Sequence, residues 1–241
     1  MANVWARHGA AMHAGAATLA EAYPGRFVLG VGVSHRGLVE LVGGDYRRPV
    51  DHMRGYLDDM DAARPRSLEP PQPFVRVLAA LGPKMLDLAR DRTDGALPFL
   101  VPVEHTERAR QALGPDRLLV THQAVVLERD PAAARAIVRA NFGSLGDPSS
   151  VYARNLARLG YGPDHLADGL SDRLVDALVA RGDEAAIARR VRHHIDAGAD
   201  HVLIHPLTSE NVLTRPTPED ALVAAQTLEH LAPALINTGG A

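Results

Sequence analysis

The sequence lacks cysteine altogether, which excludes a disulfide framework, a thiolate nucleophile and a cysteine-ligated metal site. This absence suits a reducing compartment, and we expect a cytoplasmic protein. The chain also lacks a large net charge: the formal value of −3 offers no attraction to nucleic acid or an anionic membrane. No apolar run approaches a membrane span, and the first residues do not form a signal peptide. We therefore expect neither nucleic acid nor membrane as a partner.

Several motifs that would announce a chemistry are missing too. There is no Gly-x-Gly-x-x-Gly fingerprint, no phosphate-binding Walker pattern and no Gly-x-Ser-x-Gly nucleophile elbow. The pair His193-His194 and the neighbours His201 and His205 bring imidazoles together, but no carboxylate lies at a convincing ligand spacing. The sequence therefore predicts no metal site.

What is present is a regular alternation of strand and helix patterns in a chain of 241 residues with 46% apolar residues. This alternation favours an α/β fold with a parallel sheet. Residues 36–48 are predicted to form a loop, and 143–182 to contain helices and loops without a strand. The predicted strands cover 26–33, 74–81, 94–101, 117–127 and 201–205, and the predicted helices cover 8–22, 50–62, 83 onward, 104–113, 131–142, 184–197 and 218 onward.

The most informative stretch is 21–35. Its apolar run Phe27–Val33 does not alternate, which is typical of a strand buried on both faces. Gly30 and Gly32 mark a close approach, either of a ligand or of a neighbouring side chain. The strand is followed by two polar residues, Ser34 and His35, at the end where parallel-sheet enzymes place their active sites.

This stretch carries a family resemblance. Residues 19–35, Leu-Ala-Glu-Ala-Tyr-Pro-Gly-Arg-Phe-Val-Leu-Gly-Val-Gly-Val-Ser-His, resemble the luciferase-like monooxygenases, most closely the subgroup that uses the deazaflavin coenzyme F420. Supporting matches at 78–86, 89–96, 171–180 and 196–202 occur in family order. The resemblance covers nearly the whole chain.

The resemblance implies a TIM-type (β/α)8 barrel, which takes about 250 residues. Residues 2–6 resemble the tail of its third strand, and the later strands resemble the fourth to the eighth, so the barrel is expected to be incomplete. Residues 1–241 are expected to form a single domain with a helical and loop insertion around 128–182. A start internal to a longer gene product is favoured over a degenerate family member, and two sheet edges are expected to stay open.

The resemblance also implies the site around the cofactor ring. His35 is the candidate catalytic acid or base, since imidazole exchanges a proton near neutral pH; the alternative is a histidine that only bonds a loop. Trp5, Gly32 and Ser34 are candidate ring contacts. Their alternatives are a core tryptophan, a tightly packed glycine and a strand-end cap.

The cofactor phosphate is expected at the loop Ala80, Leu81, Gly82 and Pro83, where a strand meets a helix N-terminus. The family uses the next loop as well, here Val101 and Pro102. Proline has no amide to donate, which weakens phosphate binding there.

The function implied is hydride transfer between coenzyme F420, or alternatively FMN, and a small organic substrate, by a homodimeric oxidoreductase. The alternative, from another class, is a catalytically inactive barrel relative that acts as a structural or interaction protein through its open sheet edges.

Overall fold

The structure is a computed structural model, and it describes residues 1–41, 43–142, 145, 147, 150–208 and 216–236. Strands and helices alternate along most of the chain. The strands are β1 Ala2–Asn3, β2 Val28–Gly32, β3 Val75–Leu78, β4 Gly95–Ala96, β5 Leu118–Val126, β6 Val179–Arg181 and β7 His201–Pro206. The helices are α1 Gly9–Ala22, α2 Arg36–Leu41, α3 Pro49–Ala63, α4 Pro83–Arg92, α5 Val103–Leu113, α6 Pro131–Phe142, α7 Val151–Arg158, α8 Pro163–Leu166, α9 Asp172–Leu178, α10 Glu184–Asp196 and α11 Pro218–Ile236.

The chain divides into two compact units. The first comprises Met1–Leu97 with Gln111–Leu118, and the second comprises Pro98–Arg110 with Leu119–Ala241. Within the first unit, β1, β2, β3 and β4 pair in that order, and every pairing is parallel.

The register of the first unit is fixed at Val31, whose Cα partners are Ala2 on β1 and Leu78 on β3. Val31 is fully buried and Leu29 is 7% exposed, but Val28 is half exposed. The predicted strand is therefore confirmed, while its burial on both faces holds only from Leu29 onward.

Neighbouring side chains lie close to the two glycines of β2. The space that a Cβ on Gly30 would need is filled by the side chain of Met1. A Cβ on Gly32 would lie 3.0 Å from the Cβ of Ala79. Both glycines therefore lie close to neighbouring side chains, and the cofactor contact assigned to Gly32 stays a prediction.

In the second unit, β5 is the central strand. Ala124 pairs in parallel with Val179 on β6 and with His205 on β7. One face of β5 contributes Ala124 and Val126 to an apolar core. The rest of this core comes mainly from the helical segment that follows β5, namely Ala134, Val138, Phe142, Ala153, Leu156, Leu174, Val175 and Leu178.

A carboxylate helps to hold this helical segment together. Asp176 on α9 accepts hydrogen bonds from Arg135 on α6 and from Arg181 on β6. Burial raises the pKa of the Asp176 carboxyl, but the two guanidinium groups outweigh it and hold that pKa well below its usual range. Three elements that are separate in sequence are thereby joined by one charged contact.

Two segment predictions are wrong. Residues 36–41, predicted as loop, form α2, which buries Val39 and carries an Arg36–Glu40 ion pair one turn apart. Residues 179–181, predicted to lack a strand, form β6. Three residues that follow directly on a helix are too few to show a period of two.

The last helix buries few of its apolar side chains. Leu231 is fully buried, but Ala221 is exposed and Leu228 is 40% exposed. Leu222 and Val223 are exposed as well, so α11 presents apolar side chains that no described residue covers.

No described helix combines the length and the apolar character that crossing a membrane requires.

Of the glycines in the first unit, Gly95 leaves the least space for a Cβ. A Cβ there would overlap the carbonyl oxygen of Leu118 and lie 2.7 Å from its carbonyl carbon, and backbone cannot rotate away. We expect Gly95→Ala to lower the free energy of unfolding by about 3 kcal/mol, as overpacking does, in urea denaturation. Gly55→Ala is the matched control: Gly55 lies in α3 with open space around it, so this change should raise stability by about 0.5–1 kcal/mol. Equal effects of the two changes would contradict this packing.

Candidate functional site

In the first unit, the carboxyl ends of β1 and β2 bring Trp5 beside Val33. The indole Nε1–H of Trp5 donates to the carbonyl oxygen of Val33 at 3.0 Å. The indole ring stacks on the imidazole of His52, with centroids 3.8 Å apart and planes 7° apart. Burial lowers the pKa of His52, which keeps this imidazole neutral. Trp5 is thus fixed as a flat, partly exposed surface at the strand ends.

The residues that follow β2 include a strained serine and an exposed histidine. Ser34 has a φ of 60°, a left-handed conformation that is uncommon for a residue with a side chain. Its carbonyl oxygen accepts a hydrogen bond of 3.1 Å from the hydroxyl of Tyr46, which helps to hold the turn. His35 follows with an exposed side chain. Strain of this kind is concentrated at functional sites, and here it aims a histidine into solvent.

The third strand end is the loop that leads into α4. Ala80 is buried, and Gly82 caps the helix in an extended conformation without any side-chain hydrogen bond. The carbonyl of Gly82 accepts from the amides of Met85 and Leu86, both at 3.0 Å. Pro83 takes the first helical position. The positive end of the α4 dipole is therefore open to an anion, with Lys84 exposed beside it.

The other predicted phosphate loop lies in the second unit and is closed. Val101 is 1% exposed, and Pro102 is buried as well. The carbonyl of Pro102 accepts from the amide of His105 as α5 begins. Pro102 has no amide to donate and neither side chain is accessible, and the phosphate contact assigned to these two residues stays a prediction.

The second unit contains a buried polar network that the sequence analysis missed. His194 on α10 is fully buried, and its Nε2 lies 2.8 Å from the Oε1 of Gln123 on β5. The Nδ1 of His194 lies 2.8 Å from the hydroxyl of Thr106 on α5. The Nε2 of Gln123 donates to the carbonyls of Ala124 and Leu178, so its Oε1 accepts. His194 therefore carries its proton on Nε2 and accepts from Thr106.

A second polar network, a pair of histidines, lies on the opposite face of β5. The Nε2 of His122 lies 2.9 Å from the Nδ1 of His205 on β7, and the amide of Leu100 donates to the Nδ1 of His122 at 3.3 Å. The signal for both networks was present in the sequence as Thr121-His122-Gln123, three polar residues inside an apolar strand.

Both buried histidines are held neutral. Burial lowers the pKa of His122 to about 3, with a smaller contribution from His205. Burial likewise lowers the pKa of His194 to about 3, with Arg190 adding to the effect. Among the described residues, no group of three or more metal-ligating side chains comes together. Both ring nitrogens of His122 and of His194 are in hydrogen bonds with neighbouring residues.

The family model of the luciferase-like monooxygenases matches residues 1–201 of this chain. The chain belongs to that family. No protein in the curated set matches this luciferase-like chain.

Solved structures extend the relationship to three dimensions. An F420-dependent secondary alcohol dehydrogenase, in complex with an F420-acetone adduct, is 16% identical with a TM-score of 0.69, covering 94% of this chain and 75% of its own. The coenzyme F420-dependent tetrahydromethanopterin reductase from Methanopyrus kandleri is 15% identical with a TM-score of 0.67, and the match covers 98% of this chain and 82% of the reductase. The oxygenating constituent of 3,6-diketocamphane monooxygenase from Pseudomonas putida, in complex with FMN, is 14% identical with a TM-score of 0.62. The match covers 96% of this chain and 77% of the monooxygenase constituent.

These likenesses confirm the fold class predicted from the sequence, an α/β fold of the incomplete (β/α)8 type. The luciferase-like protein carries its predicted strands in the predicted order, with β6 as an addition. In the first unit, Trp5, Ser34, His35 and Gly82 follow neighbouring parallel strands, and the site assigned to them remains a prediction.

The neutral histidines predict an acid-sensitive luciferase-like fold. The folded pKa of His194 lies below the unfolded value of 6.5, so the unfolded state binds the extra proton. The stabilisation is complete above pH 6.5 and is lost as the pH falls, by about 2–3 kcal/mol at pH 4.5. His194→Gln should reduce the difference between the unfolding free energies at pH 7.5 and pH 4.5 by that amount in urea denaturation. His230→Gln changes an exposed histidine of α11 and should leave the difference as in wild type; a wild-type pH dependence in His194→Gln would contradict this account.

Proposed function

We propose that this protein is an oxidoreductase that transfers a hydride between a deazaflavin or flavin cofactor and a small organic substrate. The observation that carries the proposal is that three neighbouring strand ends bring together a stacked indole, a strained serine, an exposed histidine and a helix N-terminus without a side-chain cap. Membership of the luciferase-like family supports it.

The residues of the first unit fit such a cofactor. The open end of α4, from Gly82 to Lys84, would hold the phosphate, because amides and a positive dipole favour an anion there. The fixed face of Trp5 would pack against the flat ring. When bound, the cofactor would supply a ring atom that gives or accepts a hydride, a carbon in the deazaflavin and a nitrogen in the flavin.

His35 would manage the accompanying proton. Its side chain is exposed at the end of β2, directly after the strained Ser34. Transfer of a hydride to a carbonyl leaves an oxygen that must gain a proton, and oxidation of an alcohol requires the reverse. An imidazole serves both directions near neutral pH.

Coenzyme F420 is our first choice of cofactor, and FMN is the alternative. Two of the structural neighbours are described as F420-dependent and a third contains FMN. The fit of the first unit supports a phosphate-bearing planar ring, a feature that both cofactors share.

The cofactor proposal predicts quenching of the single tryptophan. Titration of the protein with F420, and separately with FMN, should quench Trp5 fluorescence saturably for at least one of them. Lys84→Glu places a negative charge at the phosphate end and should weaken binding about tenfold or more. Arg189→Glu, the same charge change on an exposed residue of α10, is the control and should bind as wild type. Absence of saturable binding of both cofactors would overturn the proposal.

If His35 is the acid or base, its removal should lower turnover without weakening cofactor binding. We expect His35→Ala to lower turnover of a reactive alcohol or ketone from a small-molecule panel by about 10²–10⁴-fold, the usual contribution of a general acid or base. The cofactor dissociation constant should change less than about twofold. The exposed His201 on β7 offers a control, since His201→Ala should keep wild-type turnover. Unchanged turnover in His35→Ala would remove the residue from the mechanism.

A second candidate function is that of a partner-binding barrel relative without turnover. The exposed apolar residues Leu222, Val223 and Leu228 of α11 favour it, as does Leu203 on β7. Homodimer formation, which we propose for the enzyme as well, would cover such residues. Light scattering gives the oligomeric state, and a stable dimer that binds neither cofactor would select this second function.

A further inference from the structure

The histidine pair of the second unit has a defined direction of hydrogen bonding. The amide N–H of Leu100 points at the Nδ1 of His122, so this nitrogen accepts and the ring proton of neutral His122 is on Nε2. The Nε2–H of His122 therefore donates to the Nδ1 of His205. It follows that neutral His205 carries its own proton on Nε2.

The last donor in this series of hydrogen bonds, the Nε2–H of His205, is open to a ligand. His205 is partly exposed, and its Nε2 makes no hydrogen bond to any residue in the described part of the chain. Burial lowers the pKa of both imidazoles, so each is neutral at pH 7.5. His205 thus presents one N–H with a fixed orientation, and its other nitrogen is occupied.

The arrangement is costly for a purely structural feature. His122 is 2% exposed inside an apolar strand, where an apolar residue would avoid the desolvation of a polar ring. Leu100, which orients it, has a φ of 51°, a conformation that is strained for a residue with a side chain. Strain and a buried polar group at one point are a common mark of a functional site.

Two aromatic rings lie on the His122 side of the pair. The ring centroid of Phe99 lies 4.0 Å from that of His122, and the ring of Tyr152 lies 6.4 Å from that of Phe99. Phe99 and Tyr152 are both partly exposed. Flat apolar surface therefore adjoins His122, the ring that contacts His205.

We propose that His205 donates a hydrogen bond through Nε2 to a carbonyl or carboxylate oxygen of a small planar organic ligand, with His122 as its positioning residue. This site lies wholly within the second unit and requires no cofactor, so it stands or falls separately from the proposed function.

The first test observes the imidazoles directly. In ¹⁵N NMR spectra of the full-length protein at pH 7.5, both His122 and His205 should show the tautomer protonated at Nε2. His122→Phe keeps a ring beside Phe99 but removes the donor to His205, so the His205 signal should move toward a mixture of tautomers. A His205 proton on Nδ1 in the wild type would overturn the proposal, because the hydrogen bond would then run the other way.

The second test measures ligand binding with benzoate and benzamide as probes. At least one of them should shift the His205 ring signals saturably, and His205→Ala should weaken its binding about tenfold to a hundredfold, the effect of a hydrogen bond to a charged or strongly polar oxygen. His201→Ala is the matched control, since His201 is an exposed histidine on the same face of β7, and it should change the dissociation constant less than about twofold. No saturable shift with either probe, or equal binding by His205→Ala, would overturn the site.

Discussion

The position of Val31 between two neighbouring strands is the constraint on which the candidate site depends. Its Cα partners are Ala2 and Leu78, its side chain is fully buried, and its carbonyl accepts from the amide of Ala79 at 2.8 Å. This register brings the ends of β1, β2 and β3 to one level, so that the residues after each strand are neighbours. A slip by one residue would turn each side chain of β2 to the opposite face and separate them.

The interior of the second unit contains buried polar side chains that hydrogen-bond to one another. His194 and His122 lie on opposite faces of β5, and each has both ring nitrogens in hydrogen bonds. A buried imidazole of this kind is tolerated only while neutral, because its charged form has no solvation there. The same constraint explains the expected acid sensitivity of the fold and the fixed direction in which the His122–His205 pair donates.

Sequence patterns were sufficient for the long elements and insufficient for contacts between them. Pro83 and Gly82 marked the start of α4 correctly, and the apolar run after Gly25 marked β2, because these signals are local. The strand β6 was missed since it is only three residues long, and α2 was missed because its glycine-rich surroundings suggested a loop. The partnership of His122 with His205 depends on the pairing of β5 with β7 across 83 positions, and no local pattern encodes it.

Hydrogen exchange in the presence of cofactor tests the central claim most directly, namely that the strand ends of the first unit form the cofactor site. With saturating F420 or FMN, peptides that contain Trp5, Ser34 and Gly82 should exchange more slowly, while the exposed outer turns of α11 should be unaffected. Protection that avoids all three strand ends, despite saturable binding, would contradict the account.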